Sequence, residues 1–246
     1  MRYFIEFAYK GTHYHGWQIQ PNAPSVQKVL SAGLSTILQH NINLVGAGRT
    51  DSGVHAKQMF AHFDTNLQLD SITLIHKLNS FLPVDIAIIG VYKVAANAHA
   101  RFDAKKRTYK YYINSKKNAF ESQNSWYFKH VLNLDLMNKA CEILKQHTNF
   151  ECFSKVHTDV NTFNCKIEHA LWEQENNNYL FTIAADRFLR NMVRAIVGTM
   201  INVGLEKVSL PDFEVIIASK NRQKAGFSVP AHGLYLTNVD YDFLLQ

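Results

Sequence analysis

Short stretches in which apolar and polar residues alternate are spread along the chain and predict strands. The clearest is 2–9, where aromatic and β-branched side chains recur. A tyrosine-rich stretch at 107–114 follows the same rule in the middle of the chain. Together these stretches predict strands at 2–9, 43–45, 58–65, 107–114, 166–172, 179–184 and 233–241.

Apolar residues spaced three or four positions apart predict helices between these strands. Ser25 is a candidate N-cap for a helix whose apolar stripe runs to residue 38. A last helix begins at Ser209, which stands three residues before Asp212 in the spacing of a capping box. The other helices are predicted at 72–82, where Pro83 ends the helix, at 136–144 and at 188–203.

The strands are too many, and the long crossover helices too few, for a parallel sheet. We therefore predict an α+β fold in which helices pack on one face of a mainly antiparallel sheet. The order of elements is similar in the two parts of the chain, which indicates two ferredoxin-like halves that share the sheet. The predicted halves are 1–105 and 106–246, and a cleft between them is the expected place for an active site.

The composition is that of a soluble globular enzyme, with 47% hydrophobic and 19% charged residues in 246 positions. No stretch approaches the roughly 20 apolar residues that a membrane span needs. The first seven residues are typical of a strand rather than of a signal peptide. The three cysteines form no C-x-x-C pair, so neither a disulfide framework nor a zinc site is indicated and a cytoplasmic protein is expected.

A net charge of +6 and a pI near 9.1 favour a polyanionic partner. Charge alone does not separate a nucleic-acid-binding protein from a basic protein without that role, so the placement of the charges matters more. The histidines indicate no metal site, because His13 and His15 stand two apart and no carboxylate cluster joins them.

A glycine-rich segment at 46–56 is the first candidate for chemistry. Its three glycines permit a tight backbone path and the close approach of a ligand. Arg49 and Asp51 stand two apart, so in extended backbone both side chains would face one cleft. The segment lacks the Gly-Lys-Ser/Thr ending of a phosphate-binding loop. The competing interpretation is a structural turn in which Asp51 bonds to nearby backbone.

Basic and aromatic residues interleave at 99–112, the second candidate. In a strand, Arg107, Tyr109 and Tyr111 share one face. Arginine can hold phosphate in a fork, and tyrosine can stack on an unstacked base. The competing interpretation is an amphipathic strand that buries its tyrosines and keeps its lysines in water.

Three arginines at 186–198 form the third candidate. On the predicted helix, Arg187, Arg190 and Arg194 fall at i, i+3 and i+7 on one face. RNA phosphate or an internal carboxylate opposite them would explain this stripe better than the alternative, a solvated face. Gly198 inside the helix costs up to about 1 kcal/mol relative to alanine, which suggests that another backbone approaches closely.

Taken in order, these segments resemble the TruA family of tRNA pseudouridine synthases along nearly the whole chain. Residues 46–56 resemble the catalytic loop of that family and are the most specific match. The other matching segments are 11–20, 78–86, 100–102, the strand with Arg107, Tyr109 and Tyr111, 192–194 and 230–236. Any one of them could arise by chance, but so many in the family order could hardly do so.

The resemblance implies an isomerase that flips uridines 38, 39 and 40 out of the tRNA anticodon stem-loop and converts them to pseudouridine without metal or cofactor. It implies that Asp51 is the catalytic carboxylate, that Arg194 pairs with it, and that Tyr109 packs against uracil and assists loss of the C5 proton. Relatives act as homodimers, so a homodimer is also expected. The further residues expected to bind the substrate are Arg49, Arg101, Arg107, Arg187 and Arg190.

Three alternatives stay open at the level of sequence. A non-catalytic RNA-binding protein would use the same basic and aromatic surface, although binding alone does not call for an acid such as Asp51 there. A pseudouridine synthase that acts on ribosomal or small nuclear RNA would differ in its RNA preference. A hydrolase that uses Asp51 would release free uracil.

Overall fold

The computed structural model describes residues 1–156, 160–176 and 178–243 of the chain. These residues form two compact units. The first unit comprises Met1–Lys105 and the C-terminal segment that begins at Leu236, and the second comprises Lys106–Tyr235. Each unit combines helices with a mostly antiparallel sheet, in agreement with the predicted α+β class.

The first unit is built around the central strand of its sheet. Its elements in chain order are β1 (Arg2–Tyr9), α1 (Val26–Leu38), β2 (Val45–Gly46), β3 (His55–Asp64), α2 (Ser71–Phe81) and β4 (Ile86–Val94). Strand β1 pairs antiparallel with both β3 and β4, so that Ile5 lies opposite Ala61 and Val91. Strand β2 pairs antiparallel with β3. The sheet order in this unit is therefore β4-β1-β3, with β2 added to β3.

Apolar side chains from the strands and helices fill the core of the first unit. The fully buried ones include Phe4, Ile5, Phe7, Leu30, Leu34 and Leu78. Ser25 caps α1 as predicted, because its Oγ accepts the amide hydrogen of Lys28 at 3.4 Å. Asp70 caps α2 in the same way, through the amide of Ile72 at 3.1 Å. The predicted strand 2–9 and the first two predicted helices are thus confirmed.

Strand β4 has no counterpart among the predicted elements. Its run Ile86-Ala87-Ile88-Ile89 is apolar at successive positions, so the sequence does not alternate even though the burial does. The predicted strands 43–45 and 58–65 correspond to β2 and β3 with shifted ends, since β2 begins at Val45 and β3 already at His55.

The second unit contains a three-stranded antiparallel sheet in the order β5-β8-β7. Its elements in chain order are β5 (Lys106–Asn114), β6 (Trp126–Tyr127), α3 (Leu134–Gln146), β7 (Ile167–Glu175), β8 (Asn178–Ala185), α4 (Met192–Gly204) and α5 (Leu210–Ala218). The short strand β6 runs parallel to β5. Helix α3 packs against β7 and against α4. Nearly every residue of α4 is buried, so this helix lies in the core of the unit.

The predicted helix 188–203 is wrong at its beginning, because α4 starts only at Met192. The preceding residues follow an irregular path that Asp186 stabilises, since its Oδ1 accepts amide hydrogens from Lys166 and from Arg187 at 2.8 and 2.7 Å. Asn191 then adopts a left-handed conformation with φ of 66°. Arg187 and Arg190 lie before the helix, so the predicted helical stripe of three arginines does not exist.

Gly198 confirms the expected close approach of another backbone. A Cβ placed on Gly198 would lie 1.8 Å from the carbonyl oxygen of Phe227. Gly226, on the same approaching segment, donates its amide hydrogen to Thr199 Oγ1 at 2.8 Å. Glycine is therefore required at position 198 by packing.

Strand β9 (Leu234–Asp240) begins in the second unit and continues into the first. The amide of Val239 donates to the side chain of Gln58 at 3.0 Å, and the amide of Lys105 donates to the carbonyl of Asp240 at 2.9 Å. These bonds explain why the chain from Leu236 onward groups with the first unit, whereas the predicted second half runs to residue 246. In the part of the chain that is described, no helix is long and apolar enough to cross a membrane.

Candidate active site

Asp51 occupies the first position of a tight turn between β2 and β3. The amide of Val54 donates to the carbonyl of Asp51 at 3.2 Å, and Gly53, the third residue of the turn, has φ of 79°. A positive φ at that position is typical of a type II turn, which glycine forms without strain. The chain therefore reverses immediately after Asp51, whose side chain is half-buried.

The opening loop, residues 10–24, packs its backbone against this turn. The amide of Gly53 donates to the carbonyl of Tyr14 at 3.2 Å. The amide of Trp17 donates to the carbonyl of Thr50 at 3.4 Å. Hydrogen bonds thus hold the backbone on both sides of the aspartate.

Two glycines of the opening loop make this close packing possible. A Cβ on Gly11 would lie 2.0 Å from the carbonyl oxygen of Val54, and a Cβ on Gly16 would lie 2.3 Å from that of Thr50. Gly16 also has φ of 85°, which side-chain-bearing residues rarely adopt. Any larger residue at either position would push the two loops apart.

Buried side chains fix the ends of the turn at Asp51. The hydroxyl of Tyr9 is hydrogen-bonded to Thr50 Oγ1 at 2.8 Å. His55 is 1% exposed, and its Nδ1 accepts the amide hydrogen of Gly11 at 3.0 Å. Since Nδ1 is an acceptor, the neutral His55 ring carries its proton on Nε2. The turn is therefore rigidly supported from the core of the first unit.

The two arginines predicted for the first unit are both at the surface. Arg49 is exposed while Asp51 is half-buried, so the two side chains predicted to face one cleft differ in exposure. Arg101 is also exposed, and its guanidinium carbon lies 5.7 Å from the ring centre of Phe102. Exposed guanidinium groups of this kind are suited to contact RNA phosphates.

In the second unit, Tyr109 lies on β5 and is half-buried. Its ring meets that of Phe188 edge to face, with 5.1 Å between ring centres. Tyr111, two residues further on, is fully buried, and its hydroxyl donates to the carbonyl of Pro230 at 2.8 Å. Burial raises the pKa of Tyr111, so the hydroxyl stays protonated. Tyr111 is therefore a core residue, and Tyr109 is the better placed of the two to contact a nucleobase.

Three of the predicted arginines lie in, or donate to, the irregular segment that precedes α4. These are Arg107, Arg187 and Arg190. The Nη1 atom of Arg107 donates to the carbonyl of Asp186 at 2.7 Å. The Arg187 side chain is half-buried and that of Arg190 is exposed. Asp186 thus organises this basic region with both its carboxylate and its carbonyl.

Arg194 lies in the first turn of α4 and is half-buried. Its Nε donates to the carbonyl of Val229 at 2.7 Å, and the amide of Val229 donates to the carbonyl of Arg194 at 3.3 Å. The guanidinium is thereby fixed in orientation, as pairing with a carboxylate or phosphate requires. Burial lowers the pKa of nearby His232, and the charge of Arg194 adds to that effect.

Among the described residues, neither the thiols nor a cluster of metal ligands forms a second candidate site. In residues 1–156, 160–176 and 178–243, no three His, Cys, Asp or Glu side chains are grouped to hold a metal ion. The three cysteines are buried free thiols, and burial raises the pKa of each to about 12. They are therefore protonated near neutral pH and unsuited to nucleophilic chemistry.

The structure divides the predicted site residues between the units. The first unit holds Arg49, Asp51 and Arg101, and the second holds Arg107, Tyr109, Arg187, Arg190 and Arg194. The contacts that orient these side chains are not predicted by the sequence, namely those of Tyr14, Phe188 and Val229. Tyr14 and Phe188 lie inside the segments 11–20 and 186–198, and Val229 adjoins 230–236. Nothing local in the sequence indicates their partners, which lie more than thirty residues away.

Comparison with known proteins gives a consistent result. A family model described as tRNA pseudouridine synthase matches residues 6–103 and 140–242. A tRNA pseudouridine synthase A from Bacteroides thetaiotaomicron is 51% identical over 243 residues, which cover 98% of this chain and 90% of the relative. One from Bacteroides fragilis is 52% identical, covering 98% and 96%. One from a Thermoanaerobacter species is 39% identical, covering 96% and 98%.

Proposed function

The chain belongs to the tRNA pseudouridine synthase family, and we propose that its Asp51 drives the isomerisation of uridines 38, 39 and 40 in the anticodon stem-loop. Members of this family are isomerases that convert uridine in tRNA to pseudouridine. The observation that carries the proposal is the position of Asp51, a half-buried carboxylate at the head of a braced type II turn. A surface that only binds a polyanion gains nothing from a carboxylate held in this way.

In the proposed reaction the target uridine first leaves the stem-loop stack, at a cost of a few kcal/mol. The Asp51 carboxylate initiates cleavage of the bond between uracil N1 and ribose C1′. The freed uracil rotates, and its C5 bonds to C1′. N1 gains a proton and C5 loses one, so no other group is consumed or released. One carboxylate suffices because no water is added, unlike the reaction of a glycosidase with its paired carboxylates.

Tyr109 and Arg194 complete the proposed catalytic set, as the resemblance to the TruA family implies. The edge-to-face contact of Tyr109 with Phe188 supports a role in packing against the flipped uracil and in assisting loss of the C5 proton. The fixed guanidinium of Arg194 supports a role in stabilising charge during the reaction.

The remaining arginines are proposed to hold the tRNA backbone. Three of them are exposed and two, Arg107 and Arg187, are half-buried. Their separation along the chain suits contacts with several phosphates. This group consists of Arg49, Arg101, Arg107, Arg187 and Arg190. We further propose that the enzyme acts as a homodimer in the cytoplasm, and sedimentation equilibrium at several protein concentrations tests the dimer.

A ferredoxin-like topology of both units is also part of the proposal. The first unit follows the order strand, helix, two strands, helix, strand, and its sheet order is β4-β1-β3 with β2 on β3. In the second unit, β5, α3, β7, β8 and α4 follow the same order of strand, helix, two strands and helix, with the two-residue strand β6 between β5 and α3. The sheet order of the three long strands is β5-β8-β7. These orders support the ferredoxin-like assignment.

The product of the reaction tests the proposed function. Purified protein is incubated with tRNA transcripts, without metal or nucleotide, and pseudouridine is located by sequencing the RNA. We expect pseudouridine at positions 38 to 40, no free uracil, and no product at these positions in a transcript that carries cytidine there. Free uracil would indicate a hydrolase, and activity confined to ribosomal or small nuclear RNA another synthase class. Bound but unchanged tRNA would contradict the proposal.

A further inference from the structure

Residues 99–103 form a tight turn, here called the platform turn, that carries an unusual pair of side chains at its tip. His99 Nδ1 accepts the amide hydrogens of Arg101 and Phe102 at 3.1 and 3.3 Å. The turn is closed by Asp103, whose amide donates to the His99 carbonyl at 3.0 Å and whose Oδ2 accepts the His99 amide at 2.7 Å. Arg101 and Phe102 are thus presented on a backbone with little freedom.

The platform turn is itself fastened to the sheet of the first unit. The amide of Ala100 donates to Nδ1 of the buried His62 at 3.1 Å, and the carbonyl of Ala100 accepts the hydroxyl of Tyr241. One residue before the turn, the carbonyl of Ala98 accepts Nη1 of Arg2 at 2.9 Å. A turn held by three such bonds is built to keep its tip in one place.

The tip exposes an aromatic ring instead of burying it. Phe102 is 74% exposed. The ring of His99 lies against that of Phe102, with 4.2 Å between centres and an interplanar angle of 33°, and His62 in turn meets His99 at 4.6 Å. Removing a phenylalanine ring from water is favourable, so a rigidly held ring in water indicates that something covers it in the working complex.

We propose that Phe102 is a stacking surface for an unpaired base of the tRNA, and that His99 is the residue that positions it. The inference rests on the proposed tRNA function. Aromatic side chains recognise splayed RNA bases by stacking, and a neighbouring arginine adds a phosphate contact. A second copy of the chain is the less suitable occupant, because a symmetric contact would oppose two copies of Arg101.

The two histidines must be neutral to serve as acceptors in this arrangement. Burial lowers the pKa of both rings, and the charge of Arg2 lowers both further. The charge of Asp103 raises the pKa of His99, and the charge of Arg101 lowers it. The charges of Asp64 and Asp103 raise the pKa of His62. The balance keeps both Nδ1 atoms available at neutral pH.

Substitution of Phe102 tests the stacking role. Phe102→Leu keeps an apolar side chain but removes the aromatic face, so we expect both Kd and KM for tRNA to rise on the order of tenfold while kcat stays near that of the wild type. Phe102→Tyr should restore both constants. Phe120→Leu is the matched control, because Phe120 is 91% exposed in the second unit, and it should leave both constants unchanged.

A spectroscopic probe separates stacking from other effects. Anticodon stem-loops are prepared with 2-aminopurine at single unpaired positions, and fluorescence is followed as protein is added. We expect quenching at one position with the wild type and with Phe102→Tyr, and its loss with Phe102→Leu. The same quenching with Phe102→Leu and wild type would overturn the proposal.

The positioning role of His99 has a test of its own. His99→Asn retains an acceptor for the turn amides but does not titrate, whereas His99→Leu has no acceptor. We expect KM of the wild type to rise as the pH falls well below the ordinary histidine pKa, because the pKa of His99 is lowered by burial and protonated His99 cannot accept. His99→Asn should lack this rise, and His99→Leu should have a high KM at every pH. Identical pH profiles for wild type and His99→Asn would overturn the positioning role.

The outcomes separate this inference from the proposed function. If the wild type forms pseudouridine and Phe102→Leu has wild-type Kd and KM, only the stacking surface is wrong. If Phe102→Leu lowers the sedimentation mass without changing tRNA affinity, the ring contacts a second copy and the inference is overturned. If the wild type neither binds nor modifies tRNA, the proposed function fails, and the inference fails with it.

Discussion

Single glycines decide how closely the opening loop can approach the turn at Asp51. Gly16 combines a left-handed backbone with a contact that leaves no room for a Cβ, and it lies beside the residue that precedes Asp51. The glycine-rich sequence 46–56 predicts a tight path at Asp51, and the type II turn agrees with it. The partners of the turn, Tyr14 and Trp17, could not be predicted, because nothing in their local sequence indicates a contact more than thirty residues away.

Replacement of Gly16 by alanine is expected to damage stability and activity together. The clash with the Thr50 carbonyl and the strained φ should lower the free energy of unfolding by about 3 kcal/mol. The displaced loop should reduce kcat at least tenfold, on the order expected for misplacing a catalytic group. Urea unfolding and turnover measurements check both effects.

Gly48→Ala is the matched control for stability. Gly48 lies in the glycine-rich segment that carries Asp51, and a Cβ there would meet no atom within 4 Å beyond its own chain neighbours. Its free energy of unfolding should stay within about 0.5 kcal/mol of the wild-type value. Equal unfolding curves for Gly16→Ala and Gly48→Ala would contradict the proposed bracing.

His62 makes stability depend on pH. Burial, with the charges of Arg2 and His99 added, lowers its pKa from 6.5 to about 4. Between pH 6.5 and 4, the unfolded chain is therefore protonated at His62 while the folded chain is not. The stability that neutral His62 contributes is complete above pH 6.5 and is lost as the pH falls toward 4. We expect the free energy of unfolding to be on the order of 2 kcal/mol lower at pH 5 than at pH 7. His62→Gln, which does not titrate, should flatten the profile, and an unchanged slope would contradict the assignment.

At the scale of elements, helix α4 shows where sequence patterns succeed and fail. Its apolar stripe predicts a helix, but the stripe runs back through Phe188 and Leu189, which are not helical. Three tertiary features stop the helix there: the carboxylate of Asp186, the left-handed Asn191 and the bond from Arg107. Helical periodicity does not register such competition. The sequence does not predict β4 for a related reason. The extended conformation of β4 is stabilised by pairing with β1, and a local pattern does not reveal that pairing.

Gly198→Ala should reverse the usual effect of this substitution in a helix. Alanine is favoured over glycine by about 1 kcal/mol in a helix interior. Here the Cβ would meet a backbone oxygen that cannot move aside, so we expect the free energy of unfolding to fall by about 3 kcal/mol. Calorimetry or urea unfolding measures the change.

Gly33→Ala in α1 is the matched helix control. Its Cβ would meet the end of the flexible Leu82 side chain at 2.9 Å, and the Phe81 ring at an ordinary contact distance of 3.5 Å. Its effect should therefore be within about 1 kcal/mol of zero. A Gly198→Ala variant as stable as the wild type would show that the segment around Phe227 does not pack as described.

At the scale of the whole molecule, the sequence was most informative where motifs occur in a fixed order. Pattern and turn chemistry predict the α+β class and most elements, and the family resemblance agrees with the comparisons. The passage of the last strand into the first unit could not be predicted, because the hydrogen bond between Gln58 and Val239 joins residues 181 positions apart in the chain.

The net charge of +6 makes binding of tRNA a measurable electrostatic process. If the five proposed arginines each neutralise one phosphate, affinity should fall on the order of 500-fold between 50 and 200 mM salt. Arg101→Gln should weaken binding at low salt and make the logarithmic salt slope about one unit shallower. Filter binding over this range checks both expectations, and a flat salt dependence would contradict phosphate contacts by these residues.

Release of tritium from tRNA labelled at uridine C5 reports the proposed role of Asp51, because the new bond from C5 to C1′ must displace that hydrogen. Wild type and Asp51→Asn are compared without metal or nucleotide. The matched control is Asp135→Asn, which changes an exposed carboxylate in the first turn of α3. We expect release by the wild type and by Asp135→Asn, and no release by Asp51→Asn although it still binds tRNA. Release by Asp51→Asn at a rate near that of the wild type would show that Asp51 does not drive the isomerisation.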